Sequence, residues 1–321
     1  MQKVFATSGF ATATALGALV WAGPVVAKAT YVTFDAGGAT AVNATNTVTG
    51  VGFGSVGFIR TIDGTITTFA VPGAQATLPE SINDGGVIAG SYDNDAQHGF
   101  VHSADGTITT FDVPNSTFLR VTSINNKGEI TGYYGDGVDI HAFVRVPDGT
   151  LKTFDVPGAN TQTTAAGIND KSTITGSYIG DDGFFHGYVR AADGTITTFD
   201  VPGATYGTVA DTINAKGLVA GIYLDSNQVE HGFVRSSDGT TSTFDIQGCP
   251  EIEVVGINRR SIMTGFCYTE TNHTFGFIRW PDGKTKKFEV PAYGRRTQTV
   301  GINDSGVIAG NDASENFLRF P

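Results

Sequence analysis

Four times along the 321-residue chain a tyrosine, one or more acids and a histidine follow one another within a short span. The sets are Tyr92, Asp93, Asp95 and His98; Tyr134, Asp136, Asp139 and His141; Tyr178, Asp181, Asp182 and His186; and Tyr223, Asp225, Glu230 and His231. A fifth keeps Tyr268 and Glu270 with a displaced His273. An aromatic face covers the C–H side of a sugar while carboxylates accept its hydroxyl protons, so these residue types suit glycan recognition. Histidine and tyrosine could equally act as base and acid in a polysaccharide lyase or hydrolase. The Asp-rich loops could offer oxygen ligands to Ca²⁺, but none has EF-hand spacing, and neither a metal nor a cofactor is assigned. A histidine copied into four places is also what a framework residue capping a strand end looks like.

What must position these residues is an internal repeat. An Ile-Asn pair recurs at Ile82, Ile124, Ile168, Ile213, Ile257 and Ile302, with a divergent Val42-Asn43 ahead of them, giving seven landmarks some forty-odd residues apart. In the copy that begins at Leu78, a first run ends at Ile82, and Asn83-Asp84-Gly85-Gly86 supplies the left-handed residues of a tight reversal. Val87–Tyr92 forms a second run, a variable polar loop follows, and His98–His102 is a third. Asp105-Gly106 signals a hairpin into a fourth run that Pro114 stops, because proline cannot donate to a ladder. Adjacent apolar residues such as Phe100 and Val101 fit strands covered on both faces.

Four short antiparallel strands repeated seven times predict an all-β fold, a seven-bladed β-propeller. The chain opens on an isolated fourth strand, Tyr31–Asp35, and closes on a unit that lacks one, ending Asn316–Phe320. The expectation is therefore that the N-terminal strand completes the last blade and leaves no long unpaired edge. Scarce Leu and abundant Thr, Val, Ile, Phe and Gly disfavour a helical bundle.

The repeated Gly-Phe-Val-Arg, Asp-Gly-Thr, Thr-Phe-Asp-Val-Pro-Gly-Ala and Gly-Ile-Asn-Asp segments resemble the HAF-type extracellular repeats of secreted bacterial proteins, across essentially all of residues 31–321. The resemblance implies export and a propeller-like all-β fold, with no established activity and no catalytic residue to carry over. Two places depart from the pattern: the shortened first copy around Gly50–Gly57, and the sixth copy, which carries both cysteines, Trp280 and a basic cluster.

Residues 1–29 read as a signal peptide, with Lys3, an uncharged small-residue stretch from Phe10 to Val26, and Ala27-Lys28-Ala29 as the cleavage pattern. Cleavage after Ala29, or after Ala27, leaves residues 30–321 as a secreted domain, extracellular or periplasmic. No later segment approaches the length of a membrane span. Removing the leader takes away Lys3 and Lys28 and no acid, which carries the net charge from −11 to about −13. Such a chain repels phosphate backbones, so nucleic acid is not an expected partner. Outside the cytoplasm Cys249 and Cys267 could close a disulfide contributing roughly 3 kcal/mol, or stay as two buried thiols.

Binding loops on a rigid scaffold vary, and the loops between second and third strands are the variable ones, sharing a rim with the Val-Pro-Gly-Ala connections. The candidate ligand contacts are Tyr92, His98, Tyr134, His141, Tyr178, His186, Tyr223, His231 and Tyr268, and the expected partner is a glycan or a protein. A carbohydrate-active enzyme at the channel mouth is the second reading and a structural or adhesive surface protein the third. The sequence carries no signal for oligomeric state. The third-strand arginines (Arg60, Arg145, Arg190, Arg235, Arg279, Arg319) are expected to pair with the fourth-strand aspartates Asp112, Asp155, Asp200 and Asp245. Arg259, Arg260, Lys284, Lys286 and Lys287 are expected together on the short-turn rim, as a solvated charge run or a seat for an anionic partner.

Overall fold

The computed structural model describes residues 29–271, 273–291, 296–313 and 315–321. The expected leader lies outside these apart from Ala29. Twenty-eight strands, from β1 (Thr30–Phe34) to β28 (Glu315–Phe320), carry the described chain, and no helix is among them. They form five four-stranded sheets and one of eight. The eight-stranded sheet is two four-stranded sets joined by one parallel pairing, Phe185 with Gly207. In chain order we number the four-stranded sets as units 1 to 7. The last combines β26 (Thr297–Ile302), β27 (Ile308–Asp312) and β28 with β1, in the order β1-β28-β27-β26. The chain's opening strand thus runs antiparallel to its closing one, Thr30 opposite Phe320 and Phe34 opposite Asn316.

The turns after the seven first strands are linked side by side. Each landmark asparagine is buried, and its side-chain amide donates to the main-chain oxygen of the next: Asn43 to Asn83, then Asn125, Asn169, Asn214, Asn258 and Asn303, at 2.9–3.1 Å. Asn303 donates back to Asn43 at 2.9 Å, so the cycle closes. The same side chains accept locally. The Oδ1 of Asn169 takes the N–H groups of Lys171 and Thr173, which have no ladder partner in the half-buried turn.

Aromatic residues hold the units face to face. The third-strand ring of every unit (Phe58, Phe100, Phe143, Tyr188, Phe233, Phe277, Phe317) has no solvent exposure. Each meets the fourth-strand phenylalanine of the preceding unit edge-on at 5.9–6.4 Å, as Phe199 does Phe233 and Phe288 does Phe317. Such pairs contribute about 0.5–1.5 kcal/mol each beyond their buried area. Glycine makes room for the ring within the unit: a Cβ on Gly187 would stand 2.6 Å from Phe199, its ladder partner. In the second strand a Cβ on Gly176 would stand 2.0 Å from the oxygen of Thr164, where the first strand bulges inward. The repeated glycines here serve close approach between strands.

The expected pairing of third-strand arginines with fourth-strand aspartates is corrected. Arg60, Arg145, Arg190, Arg235, Arg279 and Arg319 lie over the fourth-strand rings of the preceding units at 4.6–5.0 Å. The aspartates are taken by histidines at the opposite end of the sheet. Arginine sits at the Asp-Gly turn end of its strand and aspartate just past the far end of its own, so the antiparallel register separates them. In unit 2 His102 replaces the arginine and its ring lies 4.3 Å from that of Phe69.

We expect Asn169→Ala, which strands two N–H groups and the oxygen of Asn214, to lower the unfolding free energy by about 3 kcal/mol. Asn126→Ala, at the exposed position after Asn125, removes only solvent-facing hydrogen bonds to Asp84 and Asp170 and should cost under about 1 kcal/mol. Urea denaturation of the two variants compares them, and equal midpoints would remove the asparagine cycle from the stability account.

Candidate functional site

Four of the five predicted tyrosines are opposite their histidines across the second and third strands, Tyr92 with His98, Tyr134 with His141, Tyr178 with His186 and Tyr223 with His231. Facing positions on one side of a sheet bring the rings together at 4.9–5.2 Å, inclined by 24–32°. The histidine Nδ1 meets the aspartate that follows the fourth strand: Asp112 at 2.6 Å, Asp155 at 2.9 Å, Asp200 at 2.9 Å and Asp245 at 2.7 Å. Its Nε2 faces a loop aspartate: Asp95 at 3.3 Å, Asp136 at 3.4 Å, Asp182 at 3.1 Å and Asp225 at 3.6 Å. With both ring nitrogens against carboxylates, the doubly protonated imidazolium is the matching species. Desolvation alone would pull these histidines down. Hydrogen bonds to the two carboxylates, and their charge, outweigh it and hold His98, His141 and His186 above the ordinary imidazole range. Burial raises Tyr92, Tyr134 and Tyr178.

Unit 6 varies the theme. His273 stacks on Phe275 at 4.2 Å and pairs with Glu289, while the Tyr268 hydroxyl accepts a hydrogen bond from Gln298 of unit 7 at 3.2 Å. Cys249 and Cys267 are disulfide-bonded, with Cα atoms 5.6 Å apart, tying the segment before β22 (Glu251–Ile257) to β23 (Met263–Tyr268). All five tyrosines and their histidines therefore engage groups in their own or the adjoining unit. The structure does not gather them at one place, and none lines the central channel.

The channel is built from the first strands. In each, the register slips at one residue, two before the Ile or Val of the landmark: Thr40, Glu80, Thr122, Ala166, Asp211, Val255 and Val300. A bulge turns its extra residue out of the ladder, and here all seven line a central cavity of about 300 Å³. Five of the seven are Thr, Ala or Val, and the acids Glu80 and Asp211 break the repeat. Arg120 Nη2 lies 3.8 Å from Glu80. Burial pushes the Asp211 carboxyl well up, reinforced by the charges of Glu253 and Glu230, and its Oδ2 is buried without a hydrogen-bond partner. Glu80, Glu230 and Glu253 are also raised, each chiefly by burial. Glu230 accepts the N–H of Ile252 at 3.1 Å. Two acids therefore line the cavity, Glu80 beside Arg120 and Asp211 within the field of Glu230 and Glu253, and such carboxylates can accept hydrogen bonds, hold a cation or deliver a proton. Among the described residues no set of three His, Cys, Asp or Glu side chains has metal-site geometry.

The other end of the channel is narrowed by the asparagine cycle. There Arg259 reaches Asp304 at 3.2 Å and Asp170 at 3.8 Å beside a cavity of about 240 Å³. The expected basic cluster is divided only in part, since Arg260, Lys286 and Lys287 line one cavity. Arg259 is neutralised at this mouth, Lys284 pairs with Asp282, and Lys287 donates to the oxygen of Gln247.

Glu80, Arg120, Asp211 and Glu253 went unremarked in the sequence, and Glu230 featured only as a rim acid. The available signal was an acid at a position that other copies fill with Thr, Ala or Val.

No family model and no curated protein matches this chain. Solved structures do. Virginiamycin B lyase from Staphylococcus aureus is 14% identical, covers 92% of this chain and 100% of its own, and superposes with a TM-score of 0.64. A streptogramin B lyase is 15% identical over 91% of this chain and 97% of its own, with a TM-score of 0.60. TolB from Acinetobacter baumannii is 13% identical over 79% of this chain and 64% of its own, with a TM-score of 0.53. These are propeller proteins, and at such identities the likeness is one of fold: the chain shares a β-propeller-like architecture with them.

The histidine pairs set a pH dependence. A native pKa above the unfolded value means the native state holds more protons between the two, so stability falls as pH rises through that window. The contribution is complete below about pH 6.5 and lost as pH climbs through the raised native values of His98, His141 and His186. Unfolding midpoints should decline above pH 6.5, and His186→Gln should flatten the decline by about 0.5 kcal/mol after screening at the half-exposed carboxylates. A profile unchanged by that substitution would show the pair to be silent.

Proposed function

We propose that residues 30–321 form a seven-bladed β-propeller built from HAF-type repeats and exported after removal of the leader, outside the cell or into a periplasm. We take its role to be binding a hydroxyl-rich or amine-bearing ligand, a glycan in the first instance, at the channel. Access is from the rim carrying the second-to-third strand loops. The seven linked turns and the pairing of β1 with β28 support the blade count. The observation that carries the functional reading is the placing of Glu80 and Asp211 on a channel whose other bulge positions are Thr, Ala or Val, with an unpartnered Asp211 oxygen and the charges of Glu253 and Glu230 acting on it. An orphaned buried acceptor costs about 1–3 kcal/mol, which a ligand hydroxyl or ammonium would recover. The Tyr–His pairs act in this reading as supports for the strand ends, since both ring nitrogens of each histidine already face carboxylates.

Acid catalysis on the same ligand is a second reading, favoured by the raised carboxyl of Asp211, which would remain protonated where an ordinary carboxyl has ionised. Incubation with uronate-containing polysaccharides and with quinupristin, the compound held by a catalytically inactive virginiamycin B lyase of the same fold, followed by ultraviolet absorbance and mass spectrometry of products, addresses it.

For binding, a glycan array followed by calorimetry on the best ligand should show Asp211→Asn and Glu80→Gln each weakening affinity at least about tenfold. Tyr178→Ala should leave it within about threefold. Affinity insensitive to both channel substitutions, or lost in Tyr178→Ala alone, would move the site from the channel to the rim.

A further inference from the structure

A cavity of about 870 Å³ lies away from the channel, between units 6 and 7. Its wall is one of the inter-unit hydrophobic clusters, to which Trp280 and Tyr31 are added against Phe288. Four cationic residues line it, Arg260, Lys286, Lys287 and Arg319, of which Lys287 gives its ammonium to the oxygen of Gln247. Arg260 leans across onto the next unit at Gly306, where a Cβ would come within 2.8 Å of its Nη2. Lys286 is exposed on β25 (Thr285–Phe288). Arg319 is 7% exposed, lies over Phe288 at 5.0 Å, and its Nε is buried without a partner. The one acid of the lining, Glu289, pairs with His273.

Arg319 differs from its counterparts in one respect. Arg60, Arg145, Arg235 and Arg279 each feel the charge of the Asp in the turn that follows: Asp63, Asp148, Asp238 and Asp282. Unit 7 draws its third and fourth strands from opposite ends of the sequence, so no such turn joins them and no carboxylate among the described residues pairs with Arg319. The result is a concave patch of positive charge over aromatic walls in a chain whose net charge is −11. Such a site suits an anion that is also flat and apolar, because the guanidinium and ammonium groups meet the charge while the rings cover the body.

We propose that this groove is a binding site for an aromatic anion, a carboxylate or sulfonate carried on a planar apolar ring. Trp280 makes the test direct, since the chain has two tryptophans, and Trp21→Phe leaves Trp280 alone to report. In the full chain carrying that substitution, 4-nitrobenzoate should quench Trp280 saturably, and its uncharged counterpart 4-nitrobenzamide should bind about tenfold more weakly. Arg260→Ala and Lys286→Ala, both at exposed positions, should each raise the 4-nitrobenzoate Kd about fivefold or more, with calorimetry as a second readout and unchanged thermal melting. Non-saturating quenching, equal affinity for the amide, or a Kd unmoved by both substitutions would overturn the proposal.

Discussion

A carboxamide that is both donor and acceptor, repeated at the same place in seven turns, is the interaction on which the molecule depends. Its oxygen folds a turn upon itself and its nitrogen attaches that turn to the next, so a local reversal and a long-range contact are made by one side chain. Asparagine alone fits: aspartate cannot donate, and serine cannot span both partners. Because Asn303 donates to the turn of Asn43, no turn in the series is terminal. The first strands that lead into these turns are held at a fixed distance from the axis, and their bulged residues become a channel lining.

The outer half of each unit follows from a second repeated grouping. A fourth-strand phenylalanine rests on a third-strand glycine of its own unit, presents its edge to a buried ring of the next, and receives an arginine on its face. One residue type therefore takes part in three contacts, and a substitution at any of them is felt in two units. Where the arginine is missing, in unit 2, a histidine supplies another flat group to the same ring.

How much of this was legible in the sequence differs by level. The seven copies, the four strands in each and the sharing of the last sheet by the two ends of the chain were all readable, since the recurrence of the landmarks and the turn residues between runs stand in the sequence itself. The partnership of arginine with aspartate was misjudged because charge suggests a pair, whereas the register of two antiparallel strands decides whether the groups can meet. The asparagine was read only as a tolerant turn residue, and a bond to a residue some forty positions away leaves no local trace. The channel acids were hidden for a different reason. Searching for what recurs directs attention to Tyr178 and His186, whose recurrence reflects support of the strand ends, and away from Glu80 and Asp211, which appear once each. In a ring of copies, the exceptions converge on the axis and the common residues hold the frame.

The sharing of the final sheet between β1 and β28 also has a kinetic side. On a chain made from its N-terminus at about 5–20 residues per second, Thr30–Phe34 must wait roughly 15–60 s for Phe320 to exist. Through that interval the strand offers unsatisfied main-chain groups and two aromatic rings to any neighbour. Six units can assemble from near neighbours in sequence, but the seventh requires the longest loop closure the chain can make. The pairing of Thr30–Phe34 with the strand that ends at Phe320 is thus the one ladder of the described chain that waits on its far end.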